Sequence, residues 1–307
     1  MPLPTVTTSD FYQALKLLVM APASWLLSID RLWPVARNLR DWTARRRILP
    51  GPGQAVIAQV LAVTPAQASE ILWTSRNRML EAQLQILALT RPGRRWRPAI
   101  RVHGLANLEA ALERRSGAIL WVSDFIYGTL ITKMALQQAG FPLIQLSRPT
   151  HGFSNTPFGM RFLNPQWMRI EDRFLTERVL IPGEDASAAL GVLRTRLAAN
   201  GVVSILVTDT ARRTSDAKFC HGSIRVATGP LHLSRTSGAP LLPVFTVRSD
   251  DGIYDVWVGR PLDVDDASEP NYGVAIRDYV SMLEPHVLKH PDQWNGWVSL
   301  GRLAEGS

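Results

Sequence analysis

Residues 117–129 read GAILWVSDFIYGT. An unbroken apolar run, Ala118 to Val122, gives way to Ser123-Asp124 and then to a helix-spaced stretch from Gly128 to Gln138. A short, wholly apolar run closed by polar turn residues is the pattern of a strand buried on both faces, and the helix that follows makes a strand–turn–helix unit. The unit returns along the chain. AIRVHG precedes a helix over 108–115, PLIQLS follows the 128–138 helix, a helix over 185–199 leads into VVSILVT, and one over 229–236 leads into PLLPVFTVR. Strands alternating with helices need crossover connections, hence a largely parallel sheet with helices on its faces. The segment PVFTVRSDDGIYDVWVG, with Asp251-Gly252 at its middle, predicts a hairpin at the sheet edge, which makes the sheet mixed. The expected fold class is α/β, with a mixed, largely parallel central sheet flanked by helices.

Working outward, Thr64-Pro65-Ala66-Gln67 is an N-cap with proline at the first helical position, and helical spacing continues to Leu89 before Arg91-Pro92-Gly93 ends it. A last helix spans about Tyr272 to Leu288 and precedes a tryptophan-containing tail. Pro50-Gly51-Pro52-Gly53 divides the chain into an N-terminal segment, 1–50, and one α/β domain, 51–307. With 307 residues, 46% hydrophobic and 20% charged, the chain can bury a full core, which excludes disorder on the scale of the whole. A single cysteine, Cys220, excludes an intramolecular disulfide framework and a cysteine-rich zinc site. No histidine or carboxylate spacing marks another metal site, so no metal is expected.

The N-terminal segment has a different grammar. FYQALKLLVMAPASWLLSI, residues 11–29, is broken by Lys16 and Pro22, too short in its clean apolar run for a comfortable span and suited to lying in the interface. Arg31, Arg37, Arg40 and Arg45 to Arg47 follow, interleaved with Trp25, Trp33 and Trp42. Tryptophan favours the headgroup layer, and each arginine near an anionic surface contributes roughly 1 kcal/mol. The expectation is an amphipathic helical, membrane-associating segment, peripheral or single-pass, on the cytoplasmic face of the inner membrane. The formal charge of +8, carried by 30 arginines and only four lysines, fits an anionic lipid surface, nucleic acid or an arginine-biased composition. No helix-turn-helix, RNP or zinc-finger pattern accompanies the arginines, so nucleic acid is not an expected partner.

In an open sheet of this kind ligands bind beyond the carboxyl ends of the strands. Three post-strand segments hold the polar residues: Ser123 to Thr129, Ser147-Arg148-Pro149-Thr150-His151, and Thr208-Asp209-Thr210-Ala211-Arg212. If their strands are neighbours, Asp124, Arg148, His151, Asp209 and Arg212 converge on one rim and form an anion-binding pocket with acid–base groups. Arg148 and Arg212 are suited to gripping phosphate. Thr228-Gly229 opens a helix and offers either an oxygen-binding N-terminus or a plain cap. In FCHGS, Cys220 and His221 are adjacent and point to opposite faces of an extended chain, so they do not pair, though either side chain could line a pocket. Glu171-Asp172-Arg173 is expected as a solvated turn, and His103, His232, His286 and His290 as structural residues.

Order and spacing over nearly the whole chain resemble the lipid A late acyltransferases, the lauroyl and myristoyl transferases of the lysophospholipid acyltransferase superfamily. The likeness rests on the hydrophobic-basic N-terminus, TPAQASEILWTSRNRMLE, GAILWVSDFIYGT, Arg148-Pro149, GVVSILVTDT, VATGPLHLSRTSGAPLLPVF and HPDQWNGW from His290 to Trp297. The resemblance implies acyl transfer from an acyl-carrier-protein or coenzyme A thioester, as co-substrate rather than resident cofactor, to a lipid or small-molecule acceptor, a hydroxyl or an amine. In that family a histidine takes the acceptor proton and an acidic residue five positions on orients it. Here Asp124 stands at the histidine position and Thr129 at the acidic one.

That departure leaves three readings open. Asp124 acts as base once desolvated, with Tyr127 and Thr129 nearby. Alternatively His151 or His221 enters the pocket and pairs with Asp124 or Asp209, or the site binds lipid or carrier without this chemistry, as a catalytically silent member of the fold. The candidate catalytic residues are therefore Asp124, His151, Asp209 and Thr129; the candidate binding residues are Ser123, Tyr127, Arg148, Arg212, His221, Thr228 and Gly229.

Overall fold

The computed structural model describes residues 52–90, 96–152, 154–181, 186–209, 211, 213–265, 272–297 and 300, and positions 4–8, 10, 11, 13–15, 18, 22, 25, 31, 34 and 38. Arg37, Arg40, Arg45 to Arg47, Trp33, Trp42, Arg91 to Gly93 and Arg212 lie outside the described residues. The helices are α1 (Pro52–Leu61), α2 (Pro65–Leu89), α3 (Leu105–Glu113), α4 (Gly128–Gln138), α5 (Asn164–Asp172), α6 (Ser187–Ala198), α7 (Gly229–Ser237) and α8 (Gly273–Lys289). The strands are β1 (Ile100–His103), β2 (Ala118–Val122), β3 (Leu143–Ser147), β4 (Leu175–Leu180), β5 (Val202–Leu206), β6 (Thr214–Phe219), β7 (Gly222–Ala227), β8 (Leu241–Arg248) and β9 (Tyr254–Val258).

Seven strands form one sheet in the order β1-β9-β8-β2-β5-β3-β4. β8, β2, β5, β3 and β4 run parallel, while β9 lies antiparallel to β8 and carries β1 parallel to itself. β2 is central and buried throughout. Its alternation decides which core each side chain enters. Ile119 and Trp121 pack with α6, α7 and α8 on one face, and Ala118, Leu120 and Val122 pack with α3 and α4 on the other. Ile119 and Leu120 are fully buried, each stabilising the fold by roughly 1.5–3 kcal/mol.

α2 begins as its sequence dictates: Thr64 Oγ1 accepts from the Gln67 amide at 3.3 Å, and Gln67 Oε1 accepts from the Thr64 amide at 2.9 Å. No single described helix is long and apolar enough to cross a membrane; α1 and α2 qualify only together, bent by 116°. The described residues between Asp10 and Asn38 are helical, and Phe11, Leu15, Leu18 and Trp25 are exposed.

The sheet corrects the sequence reading in three places. The β8–β9 hairpin exists, but it is not the edge, because β1 covers β9. FLTERVL forms β4 at the far edge; its alternation of charge with apolar residues is that of an edge strand and breaks the apolar-run pattern. FCHGS is no extended segment. Cys220 and His221 form the two-residue turn between β6 and β7, with Cys220 at φ +48°.

Gly104 joins β1 to α3 at φ +71°, and a Cβ there would stand 2.2 Å from the Val258 carbonyl oxygen. Neither the backbone conformation nor the β9 carbonyl can give way cheaply. Gly104→Ala should therefore cost about 2 kcal/mol or more and lower the melting temperature by several degrees in a thermal unfolding scan; an unchanged melting temperature would contradict this geometry.

Candidate functional site

β5 lies between β2 and β3, and all three run parallel. The segments after them therefore share one rim, with the β2 and β3 loops flanking the β5 loop at about 10 Å, two strand spacings. Asp124, Asp209, Arg148 and His151 all follow these strands on the expected side of the sheet, and of the four Asp124 and Asp209 line the cleft there.

The Asp124 turn is built by a long-range strap. Ser123 N bonds the Val244 carbonyl at 2.8 Å, and the Gly128 amide closes on the Phe125 carbonyl at 2.8 Å to start α4. Across this turn runs the chain after α8: Ile126 N bonds the Gln293 carbonyl, and Asn295 N bonds the Asp124 carbonyl, both at 2.8 Å. Gln293 anchors the strap by exchanging two side-chain hydrogen bonds with the Arg248 backbone, each 2.7 Å. HPDQWNGW is thus the covering of the Asp124 turn. Trp294, buried beside Phe219 and Trp297, supplies its apolar underside.

A cleft opens here, lined by Asp124, Asp209, Arg225, Tyr279 and Trp294 among others. Burial pushes the Asp124 carboxyl up to about 6. A 3.2 Å hydrogen bond from Asn295 Nδ2 opposes the rise, the Asp209 carboxylate adds to it, and the nearby His151 ring lowers it. Desolvation dominates although Asp124 keeps partial exposure on the cleft that it lines with Trp294 and Tyr279. Aspartate at this position is therefore not the solvated carboxylate that its type alone implies.

His151 has a carboxylate partner, but neither Asp124 nor Asp209. Its Nε2 stands 2.8 Å from Glu171 Oε2. Glu171 is fully buried in α5, with Lys133 Nζ at 2.9 Å, Arg178 Nη2 at 2.9 Å and the Trp167 indole donating at 3.1 Å. Burial opposes its ionisation, yet Lys133, His151 and Arg178 hold it well below the usual carboxylate range. The solvated turn expected over Glu171-Asp172-Arg173 is thus corrected: the segment closes a helix, and Glu171 is the centre of an ion cluster. The loop carrying His151 is fixed by Asn164, whose Nδ2 donates to the Pro149 and Ser154 carbonyls at 3.0 and 2.7 Å.

The other expected residues divide. Ser123 is buried, its hydroxyl 3.0 Å from that of Tyr279. Tyr127 turns to the opposite face, where its hydroxyl donates to Glu81 Oε2 at 2.9 Å and Glu81 also pairs with Arg248. Thr129 is half-buried in the first turn of α4. Arg148 is exposed on the rim. Thr228 caps no amide; its hydroxyl donates to the Arg213 carbonyl at 3.3 Å, before Gly229 opens α7. His221 sits at the exposed tip of the β6–β7 turn, its amide on the Val60 carbonyl, outside the cleft lining. His103, expected as a structural residue, has Asp255 Oδ1 at 2.7 Å and stacks on Trp257.

Glu171, Asn295, Arg225 and Tyr279 were not singled out as site residues in the sequence. Asn295 carried a signal, lying inside HPDQWNGW; Arg225 precedes VATG by one residue. Glu171 carried none, because its partners come from α4, β4 and the β3 loop. Among the described residues no group of three histidine, cysteine or carboxylate side chains could hold a metal ion.

The sequence model of the bacterial lipid A biosynthesis acyltransferases matches residues 70–298, from within α2 through the strap. No individual curated protein matches the chain.

Because the folded Asp124 pKa lies above its unfolded value, its protonated form stabilises the fold at low pH, and that contribution is lost as pH rises from about 4 through 6. Asp124→Asn, which keeps an acceptor for Asn295, should therefore be more stable relative to wild type at pH 7.5 than at pH 4, by roughly 3 kcal/mol. Urea unfolding at the two pH values checks this; an equal difference at both would mean the carboxyl is not desolvated.

Proposed function

The chain belongs to the bacterial lipid A biosynthesis acyltransferase family, whose chemistry is acyl transfer to a lipid acceptor, and we propose that this chain performs it with Asp124 as proton acceptor. The acyl donor is a thioester of acyl-carrier protein or coenzyme A, and the acceptor a lipid hydroxyl or amine. No metal or resident cofactor takes part. The observation that carries this reading is the desolvated Asp124 carboxyl, at about 6, on the rim of the cleft.

A base works best when its pKa lies near the working pH. An ordinary aspartate, near 4, is ionised at neutral pH but holds a proton too weakly to assist an alcohol. At about 6, Asp124 remains ionised at neutral pH and accepts a proton roughly a hundredfold more readily. Thr129 cannot orient a histidine that is absent; Asn295 takes over the orienting task by holding one oxygen of Asp124, with Asp209 keeping the cleft side acidic. Arg148, and Arg212 by sequence, bind donor or acceptor phosphate, and at the start of α7 Gly229 offers its amide to an anionic group while the Thr228 amide is held by the Arg213 carbonyl.

Residues 1–50 form the membrane-associating segment, peripheral on the cytoplasmic face of the inner membrane. The exposed Phe11, Leu15 and Leu18 follow helical spacing and form one apolar stripe, and the arginines and tryptophans beyond them suit anionic headgroups.

Mass spectrometry after incubation with acyl-carrier-protein and coenzyme A thioesters and lipid acceptors should show acyl product from one donor class. kcat/KM should fall about tenfold per pH unit below pH 6, and Asp124→Asn should lower it at least a hundredfold at pH 7.5. Absence of product from either donor would instead establish a lipid- or carrier-binding protein without transfer activity. Separately, Phe11→Asp combined with Leu18→Asp should abolish co-sedimentation with anionic phospholipid vesicles; undiminished sedimentation would rule out the N-terminal stripe as the anchor.

A further inference from the structure

A histidine–carboxylate pair does exist at this rim, displaced from the β2 turn to the β3–β4 connection. We propose that His151 is the general acid of the transfer, protonating the departing thiolate, and that Glu171 is its positioning residue. The inference rests on the acyl-transfer reading above and assigns a second proton-transferring group to it.

Three observations converge. His151 lies in the connection after β3 as Asp124 lies in the one after β2, so the two flank the β5 loop that carries Asp209. The His151 ring lies within electrostatic reach of the Asp124 carboxyl. And His151 is held as an acid must be: Nε2 lies 2.8 Å from the fully buried Glu171 Oε2, which leaves Nδ1 to exchange protons, while the ring itself retains partial exposure.

The charge balance around Glu171 gives the pair its chemical meaning. Lys133, Arg178 and the Trp167 indole already bind this carboxylate, and Arg178 also takes Asp172 Oδ1 at 2.6 Å and the Ser147 hydroxyl at 3.1 Å. His151 can therefore lose and regain a proton without leaving a buried carboxylate uncompensated, a penalty that would otherwise lock it in the charged form.

The step then balances. The acceptor oxygen or nitrogen attacks the thioester carbonyl as its proton passes to the Asp124 carboxylate. Collapse of the tetrahedral intermediate breaks the carbon–sulfur bond, and the thiolate takes the Nδ1 proton of His151. Asp124 releases its proton to solvent and His151 takes one up from solvent, so the protein ends as it began and the products are the acylated acceptor and a free thiol.

Leaving-group dependence tests this. The alkyl thioester donor is compared with the same acyl group on an aromatic thiol, whose thiolate departs without a proton. His151→Gln should slow transfer from the alkyl thioester about a hundredfold and leave the aromatic one nearly unchanged, whereas Asp124→Asn should slow both. Added imidazole should restore part of the alkyl rate to His151→Ala. Glu171→Asp should retain more alkyl-thioester activity than Glu171→Gln with KM unchanged, and 15N NMR should show the single His151 tautomer of the wild type becoming mixed in Glu171→Gln. Equal slowing of both donors by His151→Gln, or no effect on either, overturns the assignment. If the wild type transfers from neither donor, the acyl-transfer reading itself fails and this inference falls with it.

Discussion

The site depends on one long-range contact: the chain after α8 laid across the Asp124 turn. Gln293 fixes its position on β8, Asn295 ties both the backbone and the carboxylate of Asp124, and Trp294 fills the space beneath. Without this strap the β2 turn would be an ordinary solvated connection and Asp124 an ordinary aspartate. With it, a carboxyl is desolvated at the edge of a cleft while one of its oxygens is held in a defined direction. Two effects usually seen separately, a raised pKa and a fixed geometry, arise from the same three residues.

The second face of the sheet supplies the counterweight. Arg78 bonds Asp292 at 3.0 Å, just ahead of the strap, while Glu81 on the same helix takes the Tyr127 hydroxyl and Arg248. α2 therefore holds both the strap and the far end of the Asp124 turn, and any looseness in it would be felt at the carboxylate. On the other side of the rim, Asn164 and Glu171 do the same for the His151 loop. Near the N-terminus, buried Asp10 accepts from the Thr156 hydroxyl at 2.9 Å, so the N-terminal segment is tied to the loop that leads from His151 into α5.

A fold does not dictate its chemistry, and the residues on its rim can change while the scaffold stays. The resemblance sets Asp124 where the family's histidine is expected and Thr129 where its acidic residue is expected. The scaffold elements around them remain in order over residues 70–298. Two features of this rim are assembled from different parts of the chain: burial raises the Asp124 carboxyl, and a histidine and a glutamate twenty residues apart come within 2.8 Å. Neither feature is visible as a motif, because neither obeys a fixed spacing.

The sequence by itself determined the α/β architecture, because apolar runs such as AILWV must be buried on both faces and alternate with helical periods. It determined the start of α2, because Thr64, Pro65 and Gln67 satisfy the first amides locally. It also determined the side of the sheet on which polar residues gather, since parallel strands present their post-strand loops together. Three things were decided only by the tertiary structure: that β1 and not β9 is the edge, that Glu171 is buried rather than solvated, and that Asp124 is desolvated. Each depends on partners far away in the chain, Glu171 on Lys133 and Arg178, Asp124 on Trp294 and Asn295. Burial and charge compensation are sums over neighbours in space, and a linear pattern records only neighbours in sequence.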